Sequence, residues 1–426
     1  MLNPASLARM EIRPYHSRDP SRETPMRPRP AVLLLLGLAL AACGDYSKGY
    51  EPSDDTTATV RADLTADLIP NRYIVTLRPG VNAASESARL AAAAGGRVLF
   101  VYQHALSGFA AEIPSPTLLA LGSDAAVATI EPDRRVTLQG VQTPAGSWGL
   151  DRIDQRTLPL DNAYNYDNGA PQVRIYIIDT GILTTHAEFK TNTGGTRATA
   201  GYSSIRDGKE RTDCNGHGTH MAGLAGGRTY GVAKQVKLVS VRVLGCTGSG
   251  ATSGVIAGVD WVTSRAVKPA VANMSLGATT TPTLTQAVTN SINSGVVYTV
   301  AAGGSSSNAC GFSPADTPNA LTVGASDNLD SKYSPSNFGP CLDLFAPGVA
   351  LRAAWYTSTT ATQVLSGSST SAALVSGAAA IYLQAHPTAS ALTANAAITG
   401  NATSGVLTNI GVGSPNLLLY TVGLGF

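Results

Sequence analysis

Strand-length runs of apolar residues recur along the chain from Trp148 onward, and helix-length segments separate them. The strand runs read VRIYIID, VKLVSVRVL, AVANMSL, VVYTVAA and ALTVGA, and the helical segments include SGVIAGVDWV and SSTSAALVSGAAAIYLQAH. Strands that are apolar at nearly every position are typical of a parallel sheet buried under helices on both faces. We therefore predict an α/β domain over residues 148–426.

A smaller pattern precedes this domain, between residues 69 and 138. The strand RYIVTL, the helix SESARLAAAA, a strand pair within FVYQHALSGFAAEIP, the helix SPTLLALGSD and a strand within VATIEPDRRVTL follow one another. This β-α-β-β-α-β order predicts a small α+β domain of ferredoxin-like type. Residues 44–68 are polar and indicate a tether, and residues 139–147 form a linker rich in Gly, Pro and Thr.

The most apolar stretch of the chain lies near its start. The basic segment MRPRP from Met26 leads into AVLLLLGLALAA and then Cys43. A twelve-residue helix reaches only about 18 Å, which is too short for a bilayer core of about 30 Å. The segment 26–43 is therefore interpreted as a signal peptide, with a buried helix as the weaker alternative. Residues 1–25 then form an upstream extension, and Met26 or Met10 is the true start.

The residues before Cys43, Leu40-Ala41-Ala42, resemble the bacterial lipobox, in which the cysteine becomes the lipidated N-terminus. This resemblance predicts an exported precursor that is held on the membrane through lipid on Cys43. Setting Cys43 aside leaves four of the five cysteines. In an exported chain they most simply form two disulfides, with three connectivities open. They are Cys214, Cys246, Cys310 and Cys341.

Composition narrows the function classes further. Hydrophobic residues make up 43% of the chain and charged residues 14%, which favours a folded protein over a disordered one. Thirty basic and 28 acidic residues leave a formal net charge of +2. That balance gives no electrostatic reason to expect a nucleic-acid partner.

Three motifs carry candidate chemistry. Asp179 ends the strand VRIYIID, His217 lies in NGHGTHMAG, and Ser369 lies in GSSTSAALVSG at the start of an apolar helix. A serine hydroxyl needs a base to become nucleophilic, and the base needs a carboxylate that fixes its tautomer. The second histidine of HGTH suggests a metal pair, but no third ligand lies nearby in sequence, so we disfavour zinc.

The motifs IYIIDTGI, DCNGHGTHMAG, VANMSLG, VGASD and LFAPG, with the chain order Asp, His, Ser, resemble the subtilase family and within it the proteinase K branch. Residues 69–138 resemble the inhibitory propeptide of that family. The resemblance implies a subtilisin-like fold and a secreted serine endopeptidase with the triad Asp179, His217 and Ser369. It also implies a monomer made as a self-processing precursor, whose mature domain is extracellular or periplasmic. Its partners are then protein or peptide substrates and its own propeptide.

The same resemblance implies where substrate binds. A peptide would add as a strand between Ser249-Gly250-Ala251 and Ser275-Leu276-Gly277. The pocket for the side chain before the scissile bond (P1) would be walled by Ser275–Gly277 and by Ala301, Ala302 and Gly303. Because these stretches hold no charged residue, a neutral apolar P1 residue is expected.

Two disulfides and two calcium sites are implied in the same way. The disulfides are Cys214–Cys246 and Cys310–Cys341. Structural calcium would bind Asp343 with the carbonyls of Pro318 and Ala320. A second ion would bind Asp151, Asp154, Gln155 and Asp161, and oxygen ligands of this kind suit calcium. The alternative for each acid is a solvated surface charge.

The sequence also departs from the family pattern. Gly304 stands where subtilases usually have the asparagine that donates to the oxyanion, and losing such a donor lowers kcat by on the order of 10²–10³. Ala373 and Leu374 replace the usual proline and histidine after the serine. These changes keep a second hypothesis open, a lipoprotein pseudoprotease that binds peptides without efficient cleavage.

Overall fold

A computed structural model of the chain describes residues 59–60, 68–104, 106–134 and 140–425. The predicted signal peptide, the lipidation residue Cys43 and the extension 1–25 lie outside the described residues. So does most of the predicted tether. Among the described residues, no helix is both long enough and apolar enough to span a membrane.

The smaller domain has the predicted β-α-β-β-α-β order. The strand order across its sheet is β1-β5-β2-β4-β3, and β2 pairs antiparallel with both β4 and β5. The short strand β1 lies inside the predicted tether and pairs parallel with β5. The elements are β1 (Thr59–Val60), β2 (Leu68–Leu77), α1 (Ala83–Ala93), β3 (Arg97–Tyr102), β4 (Gly108–Glu112), α2 (Leu118–Gly122) and β5 (Val127–Arg134).

The core of this domain follows from its alternating apolar residues. Val75, Phe109 and Ile130 are fully buried on neighbouring strands, and Leu90 of α1 packs against them. The helix α1 begins where the Asn82 side chain accepts hydrogen bonds from the backbone N–H groups of Ala84 and Ser85.

The larger domain is built on a nine-stranded sheet with the order β19-β20-β16-β15-β13-β11-β8-β10-β9. Its strands pair in parallel except for β19, which is antiparallel at one edge. They are β8 (Arg174–Asp179), β9 (Ala198–Ser203), β10 (Lys237–Arg242), β11 (Ala270–Met274), β13 (Val297–Ala301), β15 (Leu321–Ser326), β16 (Leu344–Pro347), β19 (Thr403–Ser404) and β20 (Leu417–Leu418). Three two-stranded sheets pair β6 (Gly140–Gln142) with β7 (Tyr164–Tyr166), β12 (Ala278–Thr279) with β14 (Phe312–Ser313), and β17 (Leu351–Ala354) with β18 (Thr362–Leu365).

Helices cover this sheet in packed pairs, α4 with α7 and α5 with α6. The helices are α3 (Trp148–Ile153), α4 (His217–Gly226), α5 (Thr252–Arg265), α6 (Pro282–Asn293), α7 (Ser368–Ala385) and α8 (Ala391–Asn401). The central strands β8, β11 and β13 are buried almost throughout, which is the reason why their sequences are continuously apolar. The predicted α/β sheet with a preceding α+β domain is confirmed.

Candidate active site

Parallel strands place their carboxyl ends at one edge of the sheet, and two of the three candidate residues meet there. Asp179 is the last residue of β8 and is fully buried. His217 is the first residue of α4, and its Nδ1 lies 2.9 Å from both carboxylate oxygens of Asp179. Gly216 precedes it with φ 113°, and a β-carbon there would collide with the ring of Trp355. The glycine therefore lets the chain turn sharply into the helix.

The electrostatics of this pair favour a protonatable imidazole. Burial by itself lowers the pKa of His217, whereas the charge and hydrogen bond of Asp179 and the charge of Asp213 raise it. The net shift of the His217 pKa is upward. Asp179 thus stabilises the imidazolium that forms when the histidine accepts a proton.

Asp213 organises the loop that carries His217, and the sequence did not reveal this role although Asp213 lies inside the motif DCNGHGTHMAG. Its buried carboxylate accepts the backbone N–H groups of Asn215, Gly216 and Thr219 at 2.9–3.0 Å. It also accepts the hydroxyls of Thr180 and Thr219 at 3.0 and 2.7 Å. These bonds fix the loop that presents His217. An acidic residue just before a glycine-flanked histidine was the available signal.

Ser369 is the second residue of α7, where free backbone N–H groups and the helix dipole favour negative charge. Among the described residues, its Oγ has one hydrogen-bond partner, the carbonyl of Ser275 at 3.3 Å. The Ser275 hydroxyl in turn donates to the carbonyl of Ser369 at 2.9 Å. Among the described residues, Ser369 Oγ forms no hydrogen bond with His217, and catalytic hydrogen bonds often form only in the complex with substrate.

Two cavities of about 450 and 430 Å³ form the cleft, and both are lined by Ser275–Ala278. The first is also lined by His217, Ser249 and Gly250, and the second by Ser369 and Ala301–Gly304. Of the predicted substrate-binding residues, Ala251 alone lies outside both linings, at the N-terminal cap of α5. No lining residue of either cavity is Asp, Glu, Lys or Arg.

Asn337 holds the backbone around Gly304, and no sequence motif near Asn337 predicts this role. Asn337 is fully buried, donates from Nδ2 to the Ala302 carbonyl at 2.9 Å, and accepts the N–H groups of Ser305 and Ser307 at 2.8 and 3.1 Å. A β-carbon built on Gly304 meets no atom within 4 Å. The loop therefore has room for a side chain at this position, but glycine offers no side-chain donor there.

Both disulfides that the resemblance implies are present, Cys214–Cys246 and Cys310–Cys341. Cys214 precedes His217 by three positions, so the first disulfide braces the same loop as Asp213. Asp207 lies beside it and forms an ion pair with the buried Arg242. The sulfur atoms of Cys214 and Cys246 are bonded to each other, so these cysteines and Asp207 do not form a metal site. The Nε2 of His220, the second histidine of HGTH, lies 3.1–3.2 Å from the carbonyls of Leu351 and Gln363, and its Nδ1 is buried without a hydrogen-bond partner among the described residues.

The acids of the second predicted calcium site converge. Asp151 accepts the backbone N–H groups of Asp161 and Asn162 at 3.2 and 2.8 Å. Asp154 Oδ2 accepts a hydrogen bond from the backbone N–H of Asn165, whereas Asp154 Oδ1 is buried without a hydrogen-bond partner. Burial raises the pKa of Asp154 to about 6, and the charges of Asp151 and Asp161 add to the shift. An orphaned carboxylate oxygen among like charges fits a cation.

The remaining predicted ligands are placed as follows. Gln155 accepts the Asp161 N–H at 3.3 Å, while its amide nitrogen donates to the carbonyls of Thr157 and Pro159. At the first predicted calcium site, burial raises the pKa of Asp343 to about 6, and its carboxylate accepts the Thr322 N–H at 2.7 Å. Pro318 and Ala320 lie in the segment that leads into β15 just before Thr322.

Comparison with known proteins gives two family matches. Residues 171–417 match the subtilase family (Peptidase_S8), and residues 72–139 match the peptidase inhibitor I9 family. The chain is 47% identical over 416 residues to an extracellular serine proteinase of Thermus sp. (strain Rt41A), covering 92% of this chain and 99% of the relative. It is 42% identical over 394 residues to alkaline serine exoprotease A of Vibrio alginolyticus, covering 89% and 72% respectively.

Among solved structures, the chain is similar to a cold-adapted subtilisin-like serine proteinase. The two align with a TM-score of 0.63 and 46% sequence identity. The alignment covers 66% of this chain and 99% of the other.

Proposed function

The chain belongs to the subtilase family and is a serine peptidase, and from this premise we propose that it is a secreted endopeptidase whose triad is Asp179, His217 and Ser369. The contact that carries the proposal is the 2.9 Å approach of His217 Nδ1 to both carboxylate oxygens of the fully buried Asp179. The similarity to an extracellular serine proteinase of Thermus supports export.

The proposed reaction follows from the site. When a peptide occupies the cleft, Ser369 Oγ turns from the Ser275 carbonyl, gives its proton to His217 Nε2 and attacks the scissile carbonyl carbon. The C–N bond then breaks as the imidazolium gives that proton to the leaving amine. Water repeats the sequence on the acyl-enzyme and releases Ser369. Asp179 holds the imidazole tautomer throughout.

Specificity follows from the uncharged cleft. The absence of Asp, Glu, Lys and Arg from the lining of both cavities supports a preference for neutral apolar P1 side chains. The peptide backbone pairs between Ser249–Ala251 and Ser275–Gly277, so affinity comes mainly from main-chain hydrogen bonds.

The domain order supports a self-processing precursor. The I9 match over residues 72–139 supports an inhibitory propeptide at 69–138, joined through the linker 139–147 to a catalytic domain at 148–426. Lipid on Cys43 would be attached to the propeptide side, so that cleavage near Gly140 would free the catalytic domain. Maturation would then double as release from the membrane.

Structural calcium is the proposed cofactor. Asp151, Asp154, Gln155 and Asp161 would hold one ion, and Asp343 with the carbonyls of Pro318 and Ala320 a second. Bound calcium would neutralise carboxylates that burial otherwise destabilises. The buried, unpartnered Oδ1 of Asp154 supports the former site.

The test is Ser369→Ala, with the exposed Ser264→Ala as a matched control. We expect the Ser369 variant to lose peptidase activity and to remain a full-length precursor in the membrane fraction. Wild type and control should release the catalytic domain into the medium. A Ser369→Ala chain that matures when expressed alone would overturn the nucleophile assignment.

Gly304 favours a second candidate function, a peptide-binding pseudoprotease. In that case the wild-type chain would itself remain unprocessed, and it would bind neutral peptides without turning them over. Mass spectrometry of the purified wild-type protein separates the two functions, because loss of the propeptide without another protease requires catalysis.

A further inference from the structure

A basic pocket of the larger domain shares no lining residue with the two cavities of the cleft. Its volume is about 420 Å³, and its lining includes Tyr166 of β7 and four cationic residues, Lys190, Arg197, Arg228 and Lys234. His217 begins α4, whereas Arg228 lies two residues beyond the last residue of that helix. The pocket is therefore separate from the catalytic residues.

Two of the four cations have no bonded partner within the described residues, where the side chains of Lys190 and Arg228 form no hydrogen bond and no ion pair. Arg197, by contrast, is held in place, because it donates to the carbonyls of Val236 and Glu188 at 2.6 and 2.9 Å. Its position is thus fixed while its charge remains without a bonded carboxylate.

Lys234 is the most constrained of the four. Its Nζ donates to the Gly231 carbonyl at 2.9 Å and lies 5.0 and 5.6 Å from the ring centres of Tyr164 and Tyr166. Burial lowers the pKa of Lys234 to about 7; the Glu188 charge opposes this shift and the Arg197 charge adds to it. An enclosed ammonium with carbonyls and rings as neighbours gains from a bound anion.

One carboxylate faces this cluster, and it is largely committed to the backbone. Glu188 is buried, and its Oε2 accepts the N–H groups of Thr229 and Tyr230 at 2.8 and 3.2 Å. A single negative charge therefore stands against Lys190, Arg197 and Arg228, and Lys234 adds a fourth positive charge whenever it is protonated. The lining residues themselves include no acid. The local field is strongly positive although the whole chain is nearly neutral.

We propose that this pocket is a binding site for a multiply charged oxyanion of the sulfate or phosphate class. The guanidinium group of Arg228 suits two oxygens of such an anion at once. Arg197, whose two terminal nitrogens already donate to carbonyls, and the two lysines add positive charge. The side chains of Thr191 and Asn192 line the same pocket and can donate further hydrogen bonds. The anion is either free in the medium or carried on an anionic polymer.

The experiment is calorimetric titration of the purified wild-type chain with inorganic sulfate, and separately with dextran sulfate, at ionic strength held constant with chloride. The test variant is Lys190→Gln/Arg228→Gln, because neither side chain is hydrogen-bonded or ion-paired to another part of the described structure. The matched control, Arg211→Gln/Arg265→Gln, removes the same charge at two exposed positions outside the pocket.

We expect one site in wild type and control, and at least about a tenfold weaker affinity in the test variant, since two charge-assisted contacts are lost. Saturable binding of inorganic sulfate would indicate a free anion as ligand. Binding of dextran sulfate alone, with the same dependence on Lys190 and Arg228, would indicate an anionic polymer. Absence of binding by either probe, or equal affinity in test and control variants, would overturn the proposal.

Discussion

The loop that carries His217 and the loop that carries Gly304 face the same cleft but are held in different ways. Asp213 lies four residues before His217 and accepts three backbone N–H groups and two hydroxyls around it. The Gly304 loop depends on Asn337, which is 32 positions from the Ser305 that it binds. The proposed proton-transfer half of the site, on the His217 loop, is thus supported from within its motif. The proposed oxyanion half, on the Gly304 loop, is supported from a distant segment.

Because different residues hold the His217 loop and the Gly304 loop, the sequence of one loop can change without disturbing the other. The His217 loop keeps the sequence DCNGHGTHMAG, which resembles the family motif. In the oxyanion half, Gly304 leaves the backbone geometry in place because Asn337 and Ser368 still bind the loop on either side of it. The loss therefore concerns a donor and not a fold, so it should lower kcat without unfolding the domain.

The largest expected effect comes from replacing Asp179, the carboxylate that contacts His217. Asp179→Asn should lower kcat by about 10⁴, because the amide selects the wrong imidazole tautomer and no longer stabilises the imidazolium. The pKa of His217 should fall as well, since Asp179 raises it. Because the base must be neutral, the acid limb of kcat/KM should move to lower pH.

The control for that change is Asp260→Asn, at an exposed position of α5. Both variants should keep the wild-type melting temperature within a few degrees. An Asp179→Asn enzyme with near wild-type kcat, or with an acid limb that does not move, would contradict the pairing with His217.

The second prediction concerns the Gly304 loop, where a substitution can restore a side-chain donor. Gly304→Asn should raise kcat on a neutral apolar-P1 peptide, by up to on the order of 10²–10³, with KM little changed, because the amide binds the oxyanion and hardly the substrate. Gly304→Leu, which has similar size but no donor, should not accelerate the reaction. Equal kcat in wild type and Gly304→Asn would mean that other groups already complete the oxyanion site.

A smaller effect concerns the stability of the domain that carries both loops, through its proposed calcium sites. Calcium at about a hundred times its Kd should stabilise the folded chain by about 2.7 kcal/mol. Asp154→Asn should remove much of this gain and lower the melting temperature in calcium. Without a cation site, the same change would remove a buried charge and raise the melting temperature. The sign measured by calorimetry, with and without a chelator, therefore decides between the two readings of Asp154.

Much of this arrangement could be predicted from the sequence. Continuous apolar strands such as RIYIID predicted the parallel sheet, and the motifs around Asp179, His217 and Ser369 indicated the residues that the fold brings to the cleft. Asn337 could not be found in this way, because its role depends on a contact between distant loops. The contact of Ser369 Oγ with the Ser275 carbonyl was missed for the same reason, since it joins two segments 94 residues apart.

Covalent labelling tests the central claim most directly. A fluorophosphonate inhibitor reacts with an activated serine only where a base and an oxyanion site assist it. After treatment of the purified wild-type chain, peptide mapping should find the phosphonyl group on Ser369 alone. Asp179→Asn should label far more slowly and Gly304→Asn faster. Label on another residue, or no label on a chain that still cleaves peptides, would contradict the account.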